Sequence, residues 1–214
     1  MDLILSRHGN TFGPGDAVVW AGATNDLPLV ARGEEQAKIL AEVIQKKGIV
    51  LKAVYSGPLS RTRRYAEIVL KCLGLDLIPT IDSRLHEIDY GQWTGLTNAE
   101  VISQFGVGPL QDWDERCIWP QPSQGSWGAS PTAVCNEIQS FAADLLKWHP
   151  ADQDSVLVVS SNGRLRYFLT LVEGELERKI QTKAFKMKTG HIGRICLRPV
   201  HSSLLFWNQD PQML

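Results

Sequence analysis

The chain has 214 residues, 43% of them hydrophobic and 21% charged, a balance that supports one sizeable core. It excludes a disordered chain, a coiled coil and a small disulfide-stapled fold. With 22 Lys and Arg against 23 Asp and Glu the net charge is -1, so no global basic field exists to hold nucleic acid or an anionic membrane, and a bound anion must be held locally.

Leu3 to Leu5 form an apolar run too brief for a helix and followed at once by Arg7, His8 and Gly9, which predicts a buried strand ending in a polar loop. From Arg32 to Gly48, Ala37, Leu40, Ala41 and Ile44 fall at helical spacing, and Lys46, Lys47 and Gly48 supply a basic last turn and a stop. Lys52 to Ser56 reads as a second strand, Gly57-Pro58 as a turn, and Ser60 to Leu73 as a helix with Ala66, Val69, Leu70 and Leu73 inward. The stretch from about Tyr90 to Gly128 breaks this order, carrying Trp93, Trp113, Trp119 and Trp127 among prolines and glycines with little periodicity; it reads as an excursion or cap.

Ser130-Pro131 then supplies an N-cap and a first-turn proline for a helix whose inward stripe is Val134, Ile138, Phe141, Leu145 and Trp148. Ser155 to Ser160 is a continuous apolar run of the kind a central parallel strand shows, and Asn162-Gly163 ends it before a helical stretch, Arg164 to Val172. Ile192 to Arg198 and Ser203 to Trp207 read as two closing strands. The expected fold is an α/β three-layer sandwich with a mainly parallel central sheet, an antiparallel edge strand and a cap-like insertion at about 90–130, all within a single domain, 1–214. Cys72, Cys117, Cys135 and Cys196 form no CxxC pair and no metal-type spacing with histidine, so they read as reduced thiols and the cytoplasm as the expected compartment. The N-terminus fits neither a signal peptide nor a membrane span.

In such sheets ligands bind beyond the carboxyl ends of the strands. Those ends carry Arg7, His8, Asn10 and Thr11 after the first strand, Ser60 and Arg61 after the second, and Ser161, Asn162 and Gly163 after Ser155 to Ser160. Strands lying side by side would bring these groups to one pocket, where guanidinium forks suit a phosphate and a neutral imidazole suits attack on phosphorus. Each also has an ordinary reading: a hydrogen-bonded loop histidine for His8, and a solvated helix start for Arg61 with Arg63 and Arg64.

Order and context add a resemblance. Arg7-His8-Gly9-Asn10-Thr11 directly after the first strand resembles the signature of the histidine phosphatase superfamily, which includes the cofactor-dependent phosphoglycerate mutases. Further segments follow in family order. Asn25 to Leu29 with Gly33 to Ala37 is similar to DxPLTxxGxxQA, Val54 to Arg61 to YSSPLxR, and Leu85 to Gly95 to LxEIxxGxWEG. Lys188-Thr189-Gly190 resembles the TG before that family's last strands. The resemblance implies that His8 accepts the phosphoryl group, that Arg7 and Arg61 grip its oxygens, and that Glu87 stands as the proton donor.

This chain also departs from the pattern. Val159 to Arg166 is similar to the family's VSHGGxxR segment, with Ser161 where the second active-site histidine belongs; a serine donates a hydrogen bond but adds no charge. Pro14 replaces an asparagine six residues after the nucleophile, with Asn10 available to donate in its stead, and Asn162 adds an amide. His191, after Thr189-Gly190, reads either as an accessory group reaching in from the last loop or as a strand-edge histidine. His86 alternates away from the site, and His149 and His201 receive no role. The excursion's tryptophans line an apolar mouth or fill a cap core, with core expected for at least two.

The expected function is therefore a phosphomonoesterase acting through a phosphohistidine on His8, slow for want of the second histidine, with no metal, no organic cofactor, and a small phosphorylated substrate as its partner. The alternative is a catalytically silent phosphate-binding or interaction protein of the same fold, favoured by Ser161; a mutase ranks lower.

Overall fold

A strand apolar on both sides demands cover on both faces, and β1 (Asp2–Arg7) and β4 (Ser155–Ser160) are built that way. Leu3, Leu5, Val156 and Val158 enter one core, while Ile4, Leu157 and Val159 enter the other. In the computed structural model, which describes residues 1–151 and 153–214, helix α5 (Pro131–Trp148) covers the first core with Ile138, Phe141 and Leu145. Helices α1 (Ala31–Lys46) and α2 (Ser60–Leu73) cover the second with Leu40, Ile44, Tyr65 and Val69. The result is the expected three layers.

The sheet adds β2 (Leu51–Ser56), β3 (Thr80–Ile81), β5 (Ile192–Cys196) and β6 (Ser203–Gln209), in the order β3-β2-β4-β1-β5-β6. The first four are parallel; β5 runs antiparallel to β1, and β6 antiparallel to β5. Register sets Arg7 opposite Ser160 and Ser56 opposite Val159, so β1, β2 and β4 finish at one level. Leu157 is fully buried at the centre of this sheet, and Leu157→Ala is expected to cost about 2–5 kcal/mol, read as a shift in the denaturation midpoint. A cost below about 1 kcal/mol would contradict a close-packed second core.

Local chemistry explains the helix ends. Helix α2 stops at Gly74, which takes the left-handed φ of 64° that returns its N–H to the last carbonyls. The Ser130 hydroxyl accepts the Ala133 N–H at 3.2 Å to start α5, with Pro131 in the first turn. Trp148 departs from its expected inward position: it is 49% exposed, because it occupies the final turn, where it stacks beside Tyr55 at the rim. Arg164 to Val172 is not one helix but a short α6 (Asn162–Leu165) followed by a 3-10 segment, Arg166–Leu171.

The excursion is more ordered than its sequence suggests. It holds α3 (Asn98–Phe105), opened by a capping box between Thr97 and Glu100, and α4 (Val107–Arg116). A final short helix, α7 (Glu175–Gln181), and the two-residue β3 also carried too little pattern to be expected. Trp93, Trp113, Trp119 and Trp127 pack edge to face, Trp113 and Trp119 lying 4.7 and 4.8 Å from Trp127 between ring centres. Trp20 joins them from the loop after β1, 4.9 Å from Tyr90, and its backbone exchanges hydrogen bonds with Gly95 and Leu96. Among the described residues, no helix is long and apolar enough to cross a membrane.

Candidate active site

Because β1, β2 and β4 end together, the polar residues beyond them meet around one cavity of about 1230 Å³, lined by Arg7, His8, Asn10, Arg61, Glu87 and Asn162. The loop after β1 runs close over the start of α1: a Cβ on Gly33 would lie 2.2 Å from the Asn10 carbonyl oxygen, so only glycine admits this crossing. Gln36, one turn further along α1, accepts the Asn10 N–H through Oε1 at 2.9 Å and donates through Nε2 to the Thr189 carbonyl at 2.9 Å. It ties the first loop to the last.

His8 is buried, and its Nδ1 lies 2.8 Å from the Gly9 carbonyl oxygen. A carbonyl can only accept, so Nδ1 carries the proton and the lone pair is left on Nε2. Burial, with Arg7 and Arg61 adding to it, holds the His8 pKa well below its ordinary value; the Gly9 hydrogen bond opposes them. Imidazole is therefore neutral here.

Arg7 donates through Nη1 to the Met187 carbonyl at 2.8 Å, and Arg61 donates to the carbonyls of Asn25 and Gly22, both at 2.9 Å. Burial lowers the pKa of each, with Glu87 and Tyr90 among the opposing influences. The N-terminus of α2, where Arg61 sits, is capped from a distance: Asp26 Oδ1 accepts the Ser60 N–H and hydroxyl at 2.7 and 2.8 Å. Asn10 Oδ1 accepts the Thr189 hydroxyl at 2.6 Å, and among the described residues its NH₂ has no partner.

Glu87 is placed by its neighbours. The Ser160 hydroxyl donates to the Leu85 carbonyl at 2.8 Å, Arg164 Nε to the His86 carbonyl at 2.6 Å, and the Ile88 N–H to Glu87 Oε1 at 2.9 Å. Arg164 is itself held by an ion pair with Glu137. A Cβ on Gly163 would meet Glu87 Oε1 at 2.5 Å and the Tyr90 hydroxyl at 2.2 Å, so this glycine leaves the carboxylate its room. Burial, and then Glu87, push the Tyr90 phenol well above its ordinary pKa.

Two expected residues stand apart from the cavity lining. Ser161 is 1% exposed and not among the residues that line it, and among the described residues its hydroxyl has no hydrogen bond. His191 turns to the sheet edge, with Nδ1 3.0 Å from the Asn208 carbonyl. The excursion's tryptophans form packed core and leave the cavity wall to Trp20, aided by Phe12, Val18 and Val19. Sequence reasoning passed over Trp20 and Tyr90; the signal for Tyr90 was its place in the segment that carries Glu87. Among the described residues, no group of three His, Cys, Asp or Glu side chains is set to hold a metal ion.

The sequence profile described as histidine phosphatase superfamily (branch 1) matches residues 3–210. Over 141 residues the chain is 30% identical to phosphoserine phosphatase 1 of Hydrogenobacter thermophilus, covering 66% of this chain and 62% of that protein. Over 126 residues it is 32% identical to the 2,3-bisphosphoglycerate-dependent phosphoglycerate mutase of Corynebacterium diphtheriae, covering 56% and 48%. The match thus spans about half to three-fifths of those relatives' length. Mycobacterial glucosyl-3-phosphoglycerate phosphatase superposes with a TM-score of 0.79 at 24% identity, covering 98% of this chain and 99% of that one. The alpha-ribazole phosphatase of Shigella flexneri does so with 0.74 at 23%, covering 98% and 97%. At these identities the structures speak to fold, and the fold is a mixed six-stranded sheet with helices on both sides. The profile spans nearly the whole chain and includes every strand end that builds the cavity, and so this chain belongs to the histidine phosphatase superfamily.

Proposed function

We propose that the chain is a phosphomonoesterase that forms a phosphohistidine at His8 Nε2. The observation that carries this reading is the buried neutral imidazole, its proton committed to the Gly9 carbonyl, beside two guanidiniums that no carboxylate pairs among the described residues. Nε2 attacks phosphorus as the ester P–O bond breaks, and the leaving oxygen takes a proton from Glu87. Water then attacks the phosphohistidine, gives its proton to the Glu87 carboxylate, and releases inorganic phosphate. Arg7, Arg61 and the amides of Asn10 and Asn162 hold the phosphoryl oxygens, which suits a loose transition state that asks for positioning and fixed charge. No step uses a metal or an organic cofactor.

In this reading residues 1–214 act as one domain, segment 90–130 caps the site, and the substrate is a small phosphate ester handled in the cytoplasm. The test is incubation with a panel of phosphate monoesters, followed by acid-labile phosphoenzyme detection; no turnover and no label with any of them overturns it.

The Ser161 position supports a slow enzyme, because a hydroxyl lacks the charge that an imidazolium adds in the transition state. Ser161→His is expected to raise kcat by roughly 10² to 10³ with little change in KM. An unchanged kcat in a variant that melts like the wild type would remove position 161 from the chemistry. The same serine supports a second reading, a silent binder of phosphorylated ligands, which predicts phosphate binding without label.

A further inference from the structure

Arg166 is a cation with 1% of its surface exposed and no ion-pair partner among the described residues. A buried guanidinium without a counter-ion is costly, so its surroundings must either compensate it or use it. Compensation is partial: Cζ lies 3.9 Å from the Trp113 ring centre and 4.9 Å from that of Phe185, a sandwich that restores some of the lost hydration energy. Its hydrogen bonds are poor. Nε is 3.4 Å from the Asn162 carbonyl, Nη1 is 3.8 Å from the Cys117 sulfur, and Nη2 has no partner among the described residues.

Position points to a use. Asn162 lines the cavity, and Arg166 is near enough to Arg7 and Tyr90 to act on the charge of both. Three other buried groups without partners among the described residues belong to the same strand ends, Arg7 Nε, Ser56 Oγ and Ser161 Oγ. Among the buried groups around the cavity, the guanidiniums of Arg61 and Arg166 and the half-buried Arg7 face one acidic side chain, Glu87; the exposed Arg32 and Lys188 of the lining add positive charge and the exposed Asp26 beside Arg61 offsets part of it, which leaves an excess of at least two positive charges. A dianion neutralises such a site; a monoanion does so only in part.

We infer that Arg166 is a positioning cation that makes the pocket select a doubly charged tetrahedral group, adding its positive charge from behind Arg7 and Asn162. This rests on the phosphatase reading. Arg166 acts through its field and through Asn162, and does not touch the phosphoryl group.

The test uses two tetrahedral ions that differ in charge, sulfate and perchlorate, titrated calorimetrically against the wild type, Arg166→Met and Arg166→Lys, with melting temperatures recorded. Methionine keeps the volume between Trp113 and Phe185 and removes the charge. It is expected to weaken sulfate about 10- to 30-fold but perchlorate only about three- to fivefold, because the loss scales with ligand charge. Lysine keeps the charge and should hold sulfate within about threefold of wild type, at some cost in melting temperature. Equal losses for both ions in Arg166→Met would mean loosened packing and overturn the inference, as would wild-type sulfate affinity. If the methionine variant does not fold, the lysine variant decides, and its loss of sulfate with an intact fold is the overturning result. The phosphatase reading fails separately, by absence of phosphoenzyme in a wild type that still discriminates the two ions.

Discussion

His8→Ala is expected to lower turnover by about 10⁶, the scale on which enzymes lose rate when a covalent nucleophile is deleted, and to remove the acid-labile phosphoenzyme altogether. The expectation follows from the ring's setting. Nδ1 is engaged by the Gly9 carbonyl, so Nε2 is the nitrogen left to attack, and among the described residues lining the cavity the other amine or imidazole that could form a phosphoramidate is Lys188, on an exposed side chain. Residual labelling of the alanine variant at the wild-type rate would end the mechanism. The same substitution has a signature in stability. The His8 pKa is depressed in the fold, so below the ordinary value of about 6.5 the unfolded chain binds a proton that the folded chain refuses, and stability falls as pH drops. Above that value both states are neutral and the group contributes no slope. Melting temperature should therefore fall less steeply between about pH 6.5 and 5 in His8→Ala than in the wild type. Parallel slopes would show that the imidazole titrates freely.

What was legible in the sequence follows from how local the determining physics is. The double-sided apolar run Ser155 to Ser160 needs cover on both faces, and this alone implies a sandwich; Gly74 and Ser130 end and start helices by their own chemistry. The strand ends were legible for the same reason, since parallel strands that finish together bring Arg7, Arg61 and Asn162 to one place. The tryptophans were harder. Whether a ring lines a mouth or fills a core depends on which loops lie against it, and Trp20 reaches the cavity only because its backbone pairs with Gly95 and Leu96, far along the chain. Arg166 was legible only as the arginine that closes the segment similar to VSHGGxxR; its burial was not, because a basic residue in a helical stretch reads as solvated until Trp113 and Phe185 close over it. His191 shows the converse. Its neighbours in sequence point toward the site, yet the antiparallel β5–β6 pairing brings the Asn208 carbonyl within reach of the ring at the sheet edge.

Glu87→Gln is expected to slow hydrolysis of alkyl phosphates by roughly 10² to 10⁴, because an alkoxide leaves poorly without a proton and an amide has none to give. Nitrophenyl phosphate separates the two half-reactions. Nitrophenolate departs unaided, so His8 should still be phosphorylated quickly, in a burst close to one nitrophenolate per enzyme; the slow steady state that follows reports water attack without its base. With an alkyl phosphate the burst should vanish. The substitution spares the geometry, since the glutamine oxygen can still accept the Ile88 N–H at 2.9 Å and Gly163 leaves the same room beside Tyr90. What changes is the proton. Glutamine matches the protonated carboxyl that donates to the leaving oxygen, so the charge beside Arg7 and Arg61 at that step is unchanged and inorganic phosphate should inhibit about as strongly as in the wild type. Slower chemistry with unchanged phosphate affinity is a combination that a merely disordered site cannot produce, because disorder weakens both. If the burst with nitrophenyl phosphate is lost to the same degree as turnover of the alkyl ester, Glu87 organises the pocket and the proton comes from elsewhere.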